Sequence, residues 1–385
     1  MKLEIAGWMR EELARRKDLY RWLWAGKPLE RIPLDLRAAV PAQYTYKQMF
    51  YDAGKQLEAG LRGALATWQH VPHSDCIPAM RPDVGCSCMA TAFGAQDHWG
   101  DNPEQTVYIR GKVITDLERQ IAGLPVPDPY RDGWLPEGLR RIRMFAEAGE
   151  GFIPVSLLDA AGGINVAGDL MGLTEVLEAV YTAPAALHLL LDKIQDLYTA
   201  LIRAGIEAAG GEENITTTDF PDVWFPEGYK GHVSDDVSAS FGPKTYAEFS
   251  APYHARIFRE FGCGGLHNCG PNPCHAAYVA HEYSPRNLDL AYSYSKKDLA
   301  KMKVSLKKKA FIYMGPGSDA DPVDWFREIM ELMAPDVIAV PIIGCKPEDD
   351  PQALWEKLLP IAEEYARRMD WGWERSLHTA AEARP

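Results

Sequence analysis

Short apolar runs recur along the chain, each followed by a longer stretch in which apolar residues return every three or four positions. The short runs read as buried strands at 70–80, 152–159, 215–220, 264–269, 287–293, 310–315 and 337–343, with an eighth expected near 107–114. The longer stretches read as amphipathic helices at 173–208, 243–261, 298–308, 324–333 and 351–369. Parallel strands need a long crossover, which a helix supplies, and about eight such units close into a barrel. The pattern predicts an α/β protein of the (β/α)8 TIM-barrel class, with an N-terminal helical segment over 1–69 packed on a barrel over 70–385. A doubly wound open sheet is the competing arrangement. Two Gly- and Pro-rich stretches, 120–138 and 220–242, interrupt the alternation and read as loop insertions.

Composition narrows the class. The 385 residues are 46% hydrophobic and 25% charged, ordinary for a globular chain with one large core. A net charge of −13 argues against nucleic-acid binding, which needs a basic face to meet phosphates. The one dense basic run, Lys296 to Lys309, falls on a helical pattern and reads as a solvated face. Residues 1–24 mix charges with apolar residues at helical spacing, unlike a signal peptide, and no run reaches the roughly 20 apolar residues that span a bilayer. A cytoplasmic protein is expected, and seven cysteines, an odd number in a long chain, agree with free thiols rather than a disulfide framework. No Gly-x-Gly-x-x-Gly follows an early strand and no P-loop occurs, so dinucleotide and P-loop chemistry have no support.

The candidate chemistry sits where strands run into loops. His267-Asn268-Cys269 ends one strand and Cys345 ends another, each followed by Gly or by Lys-Pro. One imidazole and two thiolates suit zinc, and three protein ligands leave a fourth position open, as in a catalytic site. Asp159, Asp219 and Asp289 also fall at strand ends; Asp219 and Asp289 are the candidate catalytic acids, able to move a proton or orient His267. Trp224, Phe225, Tyr229, Tyr292 and Tyr294 are expected near the mouth, where an aryl substrate would stack. Cys263 and Cys274 flank the strand and read as structural, and Cys76, Cys86 and Cys88 as small apolar packing.

Five segments carry a resemblance when taken in order: Leu29-Glu30-Arg31-Ile32-Pro33, Asn165-Val166-Ala167-Gly168-Asp169-Leu170-Met171-Gly172, Tyr246-Ala247-Glu248-Phe249-Ser250-Ala251-Pro252-Tyr253, His267-Asn268-Cys269-Gly270 and Gly344-Cys345-Lys346-Pro347-Glu348. Together they resemble the uroporphyrinogen decarboxylase superfamily, in its zinc-dependent corrinoid methyltransferase branch. The decarboxylases carry Arg-Gln-Ala-Gly-Arg near the N-terminus, where this chain has Asp35-Leu36-Arg37-Ala38-Ala39, and His in place of Cys345. The resemblance implies zinc on His267, Cys269 and Cys345, with a corrinoid (cobalamin) supplied by a partner carrier protein, since no Asp-x-His-x-x-Gly cobalt-ligating segment is present. It implies methyl transfer between that corrinoid and a small molecule, either a methoxylated aromatic or other methyl donor, or a thiol acceptor such as coenzyme M. It also implies a homodimer. The alternatives are a decarboxylase of the parent family and a non-catalytic corrinoid- or thiol-binding barrel with structural zinc.

Overall fold

The computed structural model describes residues 5–374 except Asp319 and Pro347, so Pro347 of the last resemblance motif lies outside the described residues. Its strands are β1 (Asp35–Ala38), β2 (Asp97–His98), β3 (Tyr108–Ile109), β4 (His232–Ser234), β5 (Gly265–Asn268), β6 (Asn287–Leu290), β7 (Phe311–Met314) and β8 (Ala339–Cys345). Six of them form one sheet in the order β1-β8-β7-β6-β5-β4, with every pair parallel. The first strand thus pairs with the last, as ring closure requires. Backbone hydrogen bonds carry the ring onward: Asp75 N donates to Leu34 O, Met80 and Val155 form a parallel bridge, Val155 and Ile215 another, and Thr218 N donates to Lys230 O just ahead of β4. The fold is α/β, with helices covering the outside of the sheet.

Two strands lie where none was expected. The segment over 1–69 supplies β1, so the sheet crosses the expected 69/70 boundary, and β4 lies inside the expected insertion over 220–242. Both are short, and both carry polar side chains on buried backbone: Asp35, His232 and Ser234 are buried. An apolar-run search passes over such strands, because their inward side chains are polar. The expected strand at 107–114 is corrected: only Tyr108–Ile109 is extended, and it pairs antiparallel with β2 in a separate ribbon.

The helices follow the apolar spacing, with breaks at proline. The stretch 173–208 divides into Leu173–Thr182 and Pro184–Ala208, because Pro184 disfavours helical backbone at Ala183, whose ψ is 49°. The second helix buries Leu187, Leu190, Leu191, Ile194, Leu197, Tyr198, Leu201 and Ile202 along one face. Likewise 243–261 divides at Ser250 into Pro243–Phe249 and Ala251–Phe261. The N-terminal helix Gly7–Trp24 closes the base of the ring. Its last residue, Trp24, packs on Phe311 at the start of β7 and on Phe225 and Tyr229, with ring centroids 5.0, 4.6 and 5.3 Å apart. Among the described residues, no helix is long and apolar enough to cross a membrane.

Candidate metal centre at the barrel mouth

Strand parity sets which side chains meet. Neighbouring residues in register on parallel strands share a face, so Ser234, His267, Asp289, Tyr313 and Val340 form one row across β4 to β8. His267 therefore stands beside Asp289 by register alone, and its Nδ1–H donates to Asp289 Oδ2 at 3.0 Å. Burial works against a charged ring there, but Asp289 outweighs it and raises the His267 pKa well above 6.5. Asp289, which burial alone would raise, is held below its usual value by His267. With Nδ1 committed, Nε2 is the ring nitrogen turned toward Cys269 and Asp236.

Cys269 and Asp236 converge on that nitrogen. Cys269 Sγ lies 3.3 Å from His267 Nε2, Asp236 Oδ1 lies 3.8 Å from it, and the three ligand atoms all fall within 4.8 Å of one another. Zinc bonds of about 2.0–2.3 Å in a tetrahedron separate their donor atoms by roughly 3.3–3.8 Å, so the two distances from His267 Nε2 match that spacing and the donor set has the chemistry for zinc. Asp236 is exposed and Cys269 half-buried, which leaves the group open to an incoming ligand.

A clasp between two loops holds the group. Asn268, buried and facing away from the His267 row, donates through Nδ2 to Asp235 O and Ser238 Oγ, and its Oδ1 accepts from Gly270 N. Cys269 N donates to Asp236 Oδ1 at 2.8 Å and Asp235 N to His267 O at 2.9 Å. These bonds stitch the residues after β4 to those after β5. Gly270, at φ +102°, makes the turn that follows, beside the exposed Tyr294.

The other expected site residues lie elsewhere. Cys345 is in register with Ala38, while Gly344, one residue before it, is in register with Arg37. Counting along β8 from Val340, Ile342 and Gly344 fall on the His267 face and Cys345 on the opposite one. There it is buried, lining a cavity of about 330 Å³ with Ala66, His70 and Val71, and burial pushes its thiol up to about 11. Among the described residues it does not join the Asp236–His267–Cys269 group. Asp219 is fully buried and accepts from Ala160 N, Phe220 N and the Tyr198 hydroxyl. Asp159 pairs with Arg81 at 2.9 Å, and burial first, then the charge of Asp219, lifts its pKa to about 7. Of the five aromatics expected at the mouth, Trp224 and Phe225 are buried and Phe225 and Tyr229 pack on Trp24 at the base, so these three do not form an aryl site there, while Tyr294 is exposed beside Gly270. All seven cysteines are free, and Cys76, Cys88, Cys263 and Cys274 are buried. The residue that sequence reasoning did not assign is Asp236; its only signal was an Asp-Asp pair in a loop rich in acids and aromatics.

No protein-family model matches the chain. A curated relative, a methylated-thiol–coenzyme M methyltransferase of Methanosarcina mazei, is 25% identical over 205 residues, which are 53% of this chain and 50% of that protein. The match thus spans about half the length of that relative. A solved structure of a methyltransferase from Methanosarcina mazei superposes with a TM-score of 0.62 at 18% identity, covering 91% of this chain and 98% of the other. That likeness extends the fold over nearly the whole chain.

Proposed function

We propose that this protein is a zinc-dependent methyltransferase that moves a methyl group between a small sulfur compound and the corrinoid of a partner protein. The observation that carries the reading is the convergence of Asp236, His267 and Cys269 at the mouth of a parallel barrel, with Asp289 fixing the imidazole. Zinc held by Asp236, His267 and Cys269 would supply a Lewis acid that favours the thiolate form of the sulfur at neutral pH. The corrinoid supplies the reactive methyl carrier. The chain's own residues do the rest: Asp289 keeps Nε2 free to bind, the Asn268 clasp fixes Cys269 against Asp236, and the open side of the group admits the sulfur.

The partial match to an enzyme named for a methylated thiol supports sulfur chemistry, and the packing of Phe225 and Tyr229 at the base takes away part of the reason for preferring an aryl ether. Asp236 takes the third ligand position in this reading, because it already stands beside His267 Nε2. The alternative third ligand is Cys345, which the resemblance implies, and which would have to cross to the other face of β8.

Elemental analysis of the purified protein tests both points. About one zinc per chain is expected, lost in Cys269→Ser and Asp236→Asn and retained in Cys345→Ser. Loss in Cys345→Ser with retention in Asp236→Asn transfers the third position to the cysteine. A wild-type protein without zinc, or without methyl transfer between methylcobalamin and any thiol, overturns the function.

A further inference from the structure

A cavity of about 340 Å³ lies between helix Ala53–His70 and the segment around Arg81, with Arg37 and Asp222 in its wall. Its volume equals roughly ten waters, room for a molecule of about a dozen non-hydrogen atoms. The helix presents small residues to it, and a Cβ built on Gly63 meets nothing within 4 Å. The cavity adjoins the candidate metal group through Phe220: Arg81 stacks 4.9 Å from its ring, which in turn meets the His267 ring at 5.1 Å and the His232 ring at 5.8 Å.

The wall carries four charged groups, and their hydrogen bonds show which are spoken for. Arg37 commits Nε and Nη2 to Asp35 and Nη1 to Asp222 Oδ1. Asp83 accepts from Gly85 N and from the Tyr46 hydroxyl. Arg81, 38% exposed, has one hydrogen-bond partner among the described residues, Asp159, reached through Nη2 alone. Asp222, 46% exposed, has one side-chain hydrogen-bond partner among the described residues, Arg37, reached through Oδ1 alone. The cavity thus presents one guanidinium and one carboxylate, each with a single side-chain hydrogen-bond partner among the described residues, on a wall of balanced charge.

We propose that this cavity binds the body of the methyl-transfer substrate, and that the substrate is a small zwitterion, an amino-acid-like thiol or thioether. Its anionic group meets Arg81, its ammonium meets Asp222, and its sulfur end is directed past Phe220 toward His267. The proposal rests on the methyl-transfer reading for the role of the ligand, but the binding site can be tested without turnover.

The test is calorimetric titration of the full chain with four thioethers of similar size: S-methylcysteine (zwitterion), 3-(methylthio)propionate (anion), 2-(methylthio)ethylamine (cation) and 2-(methylthio)ethanol (neutral). Charge-assisted hydrogen bonds contribute about 10- to 100-fold each, so the zwitterion should bind at least about 10-fold more tightly than the neutral compound. Arg81→Gln should weaken the zwitterion and the anion only. Asp222→Asn, which can still accept from Arg37, should weaken the zwitterion and the cation only. Gly63→Leu, on an open helical position, should block all four while circular dichroism stays unchanged. Equal binding of the four, binding of none, or equal weakening of all four by Arg81→Gln overturns the site. A zwitterion that binds in this pattern but neither gives nor takes a methyl group leaves the site standing and sinks the methyl-transfer reading instead.

Discussion

His267 illustrates how one hydrogen bond divides two roles between two nitrogens. Asp289 holds Nδ1–H, so Nε2 is the nitrogen that would bind zinc in the proposed site. Replacing Asp289 with Asn should therefore lower zinc affinity about 10- to 100-fold, measured by competition with a chromophoric chelator, while the fold persists. Asp159 gives a prediction in pH. Its carboxyl takes up a proton near pH 7 when folded and near its ordinary 3.8 when unfolded. Between those values the folded state holds more protons, so this group makes stability fall as pH rises from about 4 to about 7. Asp159→Asn should flatten that decline, read as urea midpoints at pH 4.5 and 7.5; an unchanged slope would refute the assignment. At this scale the sequence was legible for His267 and Cys269, which lie two apart at a strand end, and for Asp289, a lone acid at another. Asp236 was not, since nothing in an acidic loop says which carboxylate the fold turns toward an imidazole on the next strand.

Elements position the site through close backbone approach. Gly162, the residue ahead of helix Gly163–Met171, sits so near the end of β4 that a Cβ would lie 2.0 Å from Ser234 O. Gly162→Ala must push β4 and the following Asp235–Asp236 outward. We expect a loss of about 1–3 kcal/mol in stability, seen in the urea midpoint, and weaker zinc retention, because the displaced loop carries Asp236. The long apolar helices were readable from spacing, whereas β1 and β4 were not. Strands of four and three residues give too few repeats for a period to show, and their inward positions are filled by Asp35, Arg37, His232 and Ser234. Those polar residues line the interior of the ring, which is why β1 and β4 were the strands of the sheet least visible in hydropathy.

The whole molecule is a ring whose two ends differ. Aromatic packing around Trp24 seals the base, while acids, arginines and the candidate metal ligands occupy the mouth. Trp24→Ala should open a cavity at the base and cost about 3–5 kcal/mol, measured by chemical denaturation. Zinc binding by the surviving folded fraction should persist, since the metal group stands at the opposite end. A mutant that kept its stability would show that the N-terminal helix is not part of the ring's core. The alternation of apolar runs and amphipathic stretches by itself determined the α/β class, the parallel arrangement and the candidate ligands at strand ends, because these follow from local periodicity and residue chemistry. Only the tertiary structure decided which ligands meet. Side chains along a strand alternate between faces, so Gly344 and Cys345, adjacent in sequence, fall on opposite sides of β8, and the register between strands, fixed by hydrogen bonds across the whole sheet, brings Asp289 rather than Cys345 to His267.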